Sequence, residues 1–120
     1  MRIVLDTNFL IYSVKYNIFQ QLEEPGMKIL LPFQALKEIE MLSKTARKGK
    51  DREAAKMALQ LTKKFIKVEK ISARNADDAA LNLAIQEKAS LATLDKGLMK
   101  KAGENGVKTV GIRQKSYIDL

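Results

Sequence analysis

At 120 residues the chain has the length of one domain, enough to bury roughly two-thirds of its unfolded surface in a single core. It contains no Cys and no His, which excludes disulfides, thiol nucleophiles, thiolate metal centres and a Ser-His-Asp triad, and leaves any chemistry to carboxylates, hydroxyls, Lys, Arg or Tyr. With 22 Lys and Arg against 14 Asp and Glu the net charge is +8, which favours an anionic partner, although a Lys-rich chain without Cys also fits thermophile usage.

The first ten residues set the pattern for the rest. Ile3-Val4-Leu5 is an apolar run that ends on Asp6, and Thr7 and Asn8 follow before apolar character resumes at Phe9, Leu10 and Ile11. This reads as a buried strand that delivers one carboxylate to its carboxyl end, outside which ligands bind in open α/β sheets. Asp6 or Thr7 also suits a helix cap, and taken alone that plainer reading is the better one. Three later stretches that also put carboxylates at element ends raise the functional reading.

Phe9 to Leu22 keeps helical spacing through Ile11, Val14, Ile18 and Leu22 until Glu23-Glu24-Pro25-Gly26 breaks it. Met27 to Leu31 predicts a second strand, and Pro32 suits the first turn of a helix from Phe33 to about Lys44. The apolar face of that helix is Ala35, Leu36, Ile39 and Leu42. Glu38 lies roughly 40° beyond Leu42 on one side of it and Glu40 roughly 40° beyond Leu36 on the other. Only one of the two can share a site, and the spacing does not say which. Ser43 to Arg52 is a basic loop, more simply a solvated connection than a nucleic-acid contact. A helix from about Arg52 to Lys64 follows, with Ala54, Ala58, Leu61 and Phe65 in register for a core face, and Phe65 to Ile71 alternates as a short strand would.

Ser72 to Asp78 supplies polar capping residues before a helix that runs to about Lys88 over Ala80, Leu81, Ala84 and Ile85. Carboxylates in a first turn suit the helix dipole, but one cap does not account for both Asp77 and Asp78. Asp78 stands one turn before Asn82, so those two share a face. Leu91-Ala92-Thr93-Leu94-Asp95 repeats the opening theme, a helix from Lys96 to about Asn105 follows, and Val107 to Ile112 is a last strand. The tail to Leu120 carries no signal. Strands alternating with helices predict an α/β fold, one parallel sheet of four or five strands with helices on both faces, and residues 1–120 read as one domain. No segment has the length or apolarity of a membrane span or signal peptide, so the expectation is a cytoplasmic protein without a membrane partner.

Asp6 and Asp95 end strands, and Glu38 and Asp78 sit on helices able to line the same crevice. Acids gathered without a cation would repel one another, so such a cluster implies bound metal or else groups that never meet, and an oxygen-only donor set suits Mg²⁺ or Mn²⁺ rather than zinc. The cation would hold a scissile phosphate and activate water, while the basic surface tracks the phosphate backbone.

The order of these motifs resembles that of PIN-domain ribonucleases over nearly the whole chain. Leu5-Asp6-Thr7-Asn8 is similar to the family's opening motif, Leu31-Pro32 through Lys37-Glu38-Ile39-Glu40 to its Pro-to-Glu helix, Asp77-Asp78-Ala79 to its mid-chain acid, and Ala92-Thr93-Leu94-Asp95 to its Thr-x-Asp strand end. The resemblance puts the metal-binding and catalytic acids on Asp6, Glu38, Asp78 and Asp95, favours Glu38 over Glu40, and gives supporting roles to Thr7, Asn8, Asp77 and Thr93. Many members have another acid where this chain has Gly97, which speaks for one dominant ion. The adjacent Asp pair is closer to the archaeal VapC-like branch and to the pre-ribosomal-RNA-cleaving PIN proteins of eukaryotes. This implies Mg²⁺- or Mn²⁺-dependent cleavage of single-stranded RNA, commonly by a homodimer, and an antitoxin partner if the role is that of a toxin. The competing readings are an RNA-binding or assembly protein with little activity, an Asp6-nucleophile phosphatase, whose second Asp is here Asn8, and a nuclease acting on DNA flaps. Tyr12, Tyr16 and Phe19 are candidates for a dimer face and equally for core or scattered surface.

Overall fold

The computed structural model, which describes residues 1–114 and 116–120, shows why the strand sequences are unbroken apolar runs. Strands β1 (Arg2–Leu5), β2 (Lys28–Pro32), β3 (Ile66–Glu69), β4 (Ser90–Ala92) and β5 (Thr109–Arg113) are parallel, and β6 (Tyr117–Asp119) pairs antiparallel with β5. Ile3 and Leu5 bury against one cluster while Val4 buries against another, and Ile29, Leu31 and Leu30 divide the same way. A sheet covered on both faces needs apolar side chains at consecutive positions.

Five helices supply the two layers. α1 (Thr7–Lys15), α2 (Phe33–Thr45) and α3 (Gly49–Phe65) pack among themselves on one face, and α4 (Ala76–Glu87) and α5 (Lys96–Glu104) cover the other. None of these helices is long and apolar enough to cross a membrane. The strand order is β3-β2-β1-β4-β5-β6. The chain steps outward from β1 to β3 and then crosses back to place β4 on the other side of β1. The β1–β4 seam is therefore the topological switch point, where open parallel sheets form their ligand crevice.

The expected α/β architecture holds, with six strands rather than four or five, because the tail adds β6. The first helix is shorter than its periodicity suggests. Asn17 adopts a left-handed conformation (φ 56°), the Ile18 amide donates back to the Ser13 carbonyl, and a short 3-10 helix over Phe19–Leu22 takes up the remaining apolar residues. Much of the expected basic loop is helix, since α3 begins at Gly49. Arg52 holds the remaining turn by donating from Nη1 to the carbonyls of Ala46 and Arg47. Phe65 and Ile85, expected in the core, are 46% and 45% exposed, and Ala55, Thr62 and Leu83 are buried in their helices. Phe19 is buried, so of the aromatic residues considered for a dimer face only Tyr16, stacked on the half-buried Tyr12, stands out from the surface.

Candidate active site

Two strand ends meet at the switch point. β1 and β4 pair in parallel with Leu5 opposite Ala92, and the Asp6 amide donates to the Ala92 carbonyl. Asp6 and Asp95 therefore leave adjacent strands on the same edge. Each is also the N-cap of the helix that follows: Asp6 Oδ1 accepts from the Phe9 amide at 2.7 Å, and Asp95 Oδ1 accepts from the Leu98 amide at 2.9 Å. The capping and the site readings thus coincide, because a strand that runs straight into a helix needs a cap at its carboxyl end. The positive ends of the α1 and α5 dipoles point at this edge, which favours an anion there.

Thr93 joins the two acids. Its side chain is fully buried, and its hydroxyl donates to Asp6 Oδ2 while accepting from the Asp95 amide at 3.1 Å. Burial pushes the Asp6 carboxyl above the usual carboxylate range. The bonds from Thr93 and Phe9 pull it down, and the charges of Asp77 and Asp95 add to the upward push. Thr7 is buried, and its hydroxyl has no partner among the described residues. Asn8 is exposed on the first turn of α1.

The remaining acids are placed differently. Asp77 acts electrostatically on Asp6, whereas Asp78 takes its ion pair from Arg74 at 3.1 Å. Helical spacing does not separate the two, since both stand one turn before buried Leu81; Asp77 is exposed and Asp78 is partly buried. The sequence reading gave Asp78 the principal role and Asp77 an auxiliary one; in the structure the electrostatic influence on Asp6 comes from Asp77. Glu38 is exposed on α2, one turn before Leu42, which lines a cavity with Asn8 and Ile11 of α1. Glu40 lies on the opposite side, in a groove with Leu59, Thr62 and Val68 over the edge strand β3. The structure thus brings Asp6, Thr93 and Asp95 into contact, sets Asp77 within electrostatic reach, puts Glu38 on the α1 side of its helix, and leaves Asp78 on Arg74.

Among the described residues no three acids converge closely enough to enclose a cation by themselves. The donor set nonetheless fits Mg²⁺ or Mn²⁺. Such ions are commonly held by one or two carboxylates with waters and substrate phosphate completing the shell, and a cation would reverse the repulsion that Asp6 receives from Asp77 and Asp95. At Gly97 an added Cβ would stand 3.1 Å from Asp95 Oδ1, so the absent side chain leaves that carboxylate room to move.

Comparison with known proteins bears on the family and the fold. A family model described as a PIN like domain matches residues 3–115. Ribonuclease VapC4 of Methanocaldococcus jannaschii is 35% identical, covering 99% of this chain and 95% of that protein. Ribonuclease VapC9 of Archaeoglobus fulgidus is 35% identical, covering 87% of this chain and 77% of its own. Among solved structures, the PIN domain endonuclease Utp24 superposes with a TM-score of 0.74 at 18% identity, covering 99% of this chain and 92% of that one, which is a likeness of fold.

Proposed function

Because this chain belongs to the PIN-like domain family, we propose that it is a metal-dependent endoribonuclease that hydrolyses phosphodiester bonds of single-stranded RNA. The observation that carries the reading is the pair of acids on adjacent strand ends, Asp6 and Asp95, tied together by the buried Thr93 hydroxyl at the switch point. Asp6, Asp95 and Glu38 would hold Mg²⁺ or Mn²⁺, with a fourth carboxylate from the Asp77-Asp78 pair. Asp77 already bears on Asp6, and Asp78 joins by leaving the exposed Arg74. When bound, the cation supplies the charge that lowers the pKa of an attacking water and offsets charge on the leaving oxygen.

The chain's own residues do the rest. Thr93 fixes the Asp6 carboxylate, the α1 and α5 N-termini favour a phosphate at the same edge, and the basic surface holds the flanking backbone. Residues 1–120 act as one nuclease domain. In a cell the protein would work in the cytoplasm as a homodimer, either as the toxin of a type II pair, held in check by an antitoxin, or as an RNA-processing nuclease.

A substrate panel tests the reading. Purified protein with Mn²⁺ is offered single-stranded RNA, single-stranded and flap DNA, and an aryl phosphate monoester. Cutting of RNA alone, lost in EDTA, is the expected result. Turnover of the monoester alone would mean an Asp6-nucleophile phosphatase. RNA binding without turnover of any substrate would mean an assembly role.

A further inference from the structure

A second recess opens beside the acids. Asn8, Ile11, Leu42, Ala46 and Asp51 line a cavity of about 250 Å³ between α1 and the corner where α2 turns into α3. Asn8 is two residues from Asp6, so their Cα atoms are no more than about 7.6 Å apart across two trans peptides. One wall of the cavity therefore belongs to the first turn of α1, the helix that Asp6 caps. Its walls are aliphatic, from Ile11, Leu42 and Ala46, and its two polar groups are an amide and a carboxylate.

Both groups are open to solvent. Lys15 clamps Asp51 through Oδ1 at 2.8 Å and keeps the carboxyl below the usual carboxylate range, so it is ionised. Among the described residues Asp51 Oδ2 accepts no hydrogen bond, and the Asn8 side chain makes none. An ionised carboxylate repels phosphate, so the cavity does not suit the backbone of a nucleic acid. The exposed cations of the adjoining corner, Lys44, Arg47, Lys48 and Lys50, suit the backbone instead. An apolar slot with one acceptor-only group and one amide suits a nucleobase turned out of a single strand.

Resting on the ribonuclease reading above, we propose that this cavity receives the base next to the scissile phosphate and selects one bearing an exocyclic amino group. Asp51 accepts from that amino group, as carboxylates do from the N4 amino group of cytosine, and Asn8 completes the edge. Uracil has no exocyclic amino group, and its carbonyl oxygen would face the carboxylate. Discrimination on the order of tenfold or more follows from one such mispaired edge.

The experiment is cleavage of four end-labelled single-stranded RNAs that differ only at the nucleotide beside the cut site, by wild type, Asp51→Asn and Ala46→Leu, with each KM and kcat measured. The expected wild-type result is a lower KM with cytosine, adenine or guanine than with uracil. Asp51→Asn should bring the uracil substrate level with the others, because an amide both donates and accepts. Ala46→Leu should raise KM for all four and level them by filling the slot. Equal wild-type KM values, or a preference that survives Asp51→Asn, would overturn the base-pocket assignment while leaving the nuclease intact. Absence of cutting of all four by wild type would overturn the ribonuclease reading and this assignment with it.

Discussion

The two ends of the sheet are built from the same strands and carry opposite charge. At the carboxyl end Asp6 and Asp95 leave β1 and β4, with Asp77 close enough to act on Asp6. At the amino end Arg2 stands opposite Lys28 in register, and Arg2, Lys88 and Lys108 line a cavity of about 470 Å³. Two of these cations help hold the fold: Arg2 donates to the Glu87 carbonyl at the end of α4, and Lys108 to the Leu120 carbonyl. Positive charge beside helix C-termini is ordinary stabilisation. At the carboxyl end Asp77 and Asp95 add to the upward push that burial gives the Asp6 carboxyl, a repulsion that a cation there would relieve.

The largest effect that separates the two ends is expected from Asp6→Asn, which should lower cleavage on the order of a thousandfold or more without weakening the fold. The sign follows from the raised Asp6 carboxyl. In the folded state it keeps its proton to a higher pH than its ordinary value of 3.8, so ionising it costs stability as pH rises through that window, and the cost remains at neutral pH. Denaturation midpoints across the acid range should fall more steeply with pH for wild type than for Asp6→Asn. The double change Lys88→Ala with Lys108→Ala is the counterpart at the amino end and should leave cleavage unaltered.

Next in size is Thr93→Val. It removes the hydroxyl that donates to Asp6 and accepts from the Asp95 amide, so stability should fall by about 1–3 kcal/mol in a denaturant titration. Cleavage should drop about 10- to 100-fold, as for residues that orient metal-binding groups. The Asp6 carboxyl should also rise further, because a bond that lowers it is gone, and the acid limb of the pH–rate profile should move up with it.

A smaller effect is thermal. Mn²⁺ at 100 times its dissociation constant should stabilise wild type by about 2.7 kcal/mol and Asp6→Asn far less, read as a shift in Tm. The finest comparison lies within α2, where Glu38→Gln should reduce cleavage and Glu40→Gln should not, because Glu40 faces the groove over β3. Equal losses would put the wrong side of the helix at the site.

The alternation of strand and helix was legible because a sheet covered on both faces needs unbroken apolar strands. β6 was not, since three residues at a sheet edge, Tyr117–Asp119, with only Ile118 buried, have too short a pattern to read. The start of α3 was also hidden, because Gly49 to Arg52 holds no apolar residue and that turn of helix is tied down by Arg52 reaching back to Ala46. In the site, Asp6 and Asp95 could be read directly because the cap and the strand end fall on one residue. The choice between Glu38 and Glu40 could not, since both flank the apolar stripe equally and only the neighbouring helices distinguish the sides. Asp77 and Asp78 differ by one residue and both precede buried Leu81 by one turn, so the apolar pattern of the helix does not separate them.

The most direct test of the central claim is cleavage of end-labelled single-stranded RNA by wild type and Asp6→Asn in Mn²⁺, Mg²⁺ and EDTA. The account predicts cutting by wild type in either metal, none in EDTA, and none by Asp6→Asn under any condition. Cutting that persists in EDTA, or in a folded Asp6→Asn protein, would contradict a metal-dependent site at the β1–β4 seam.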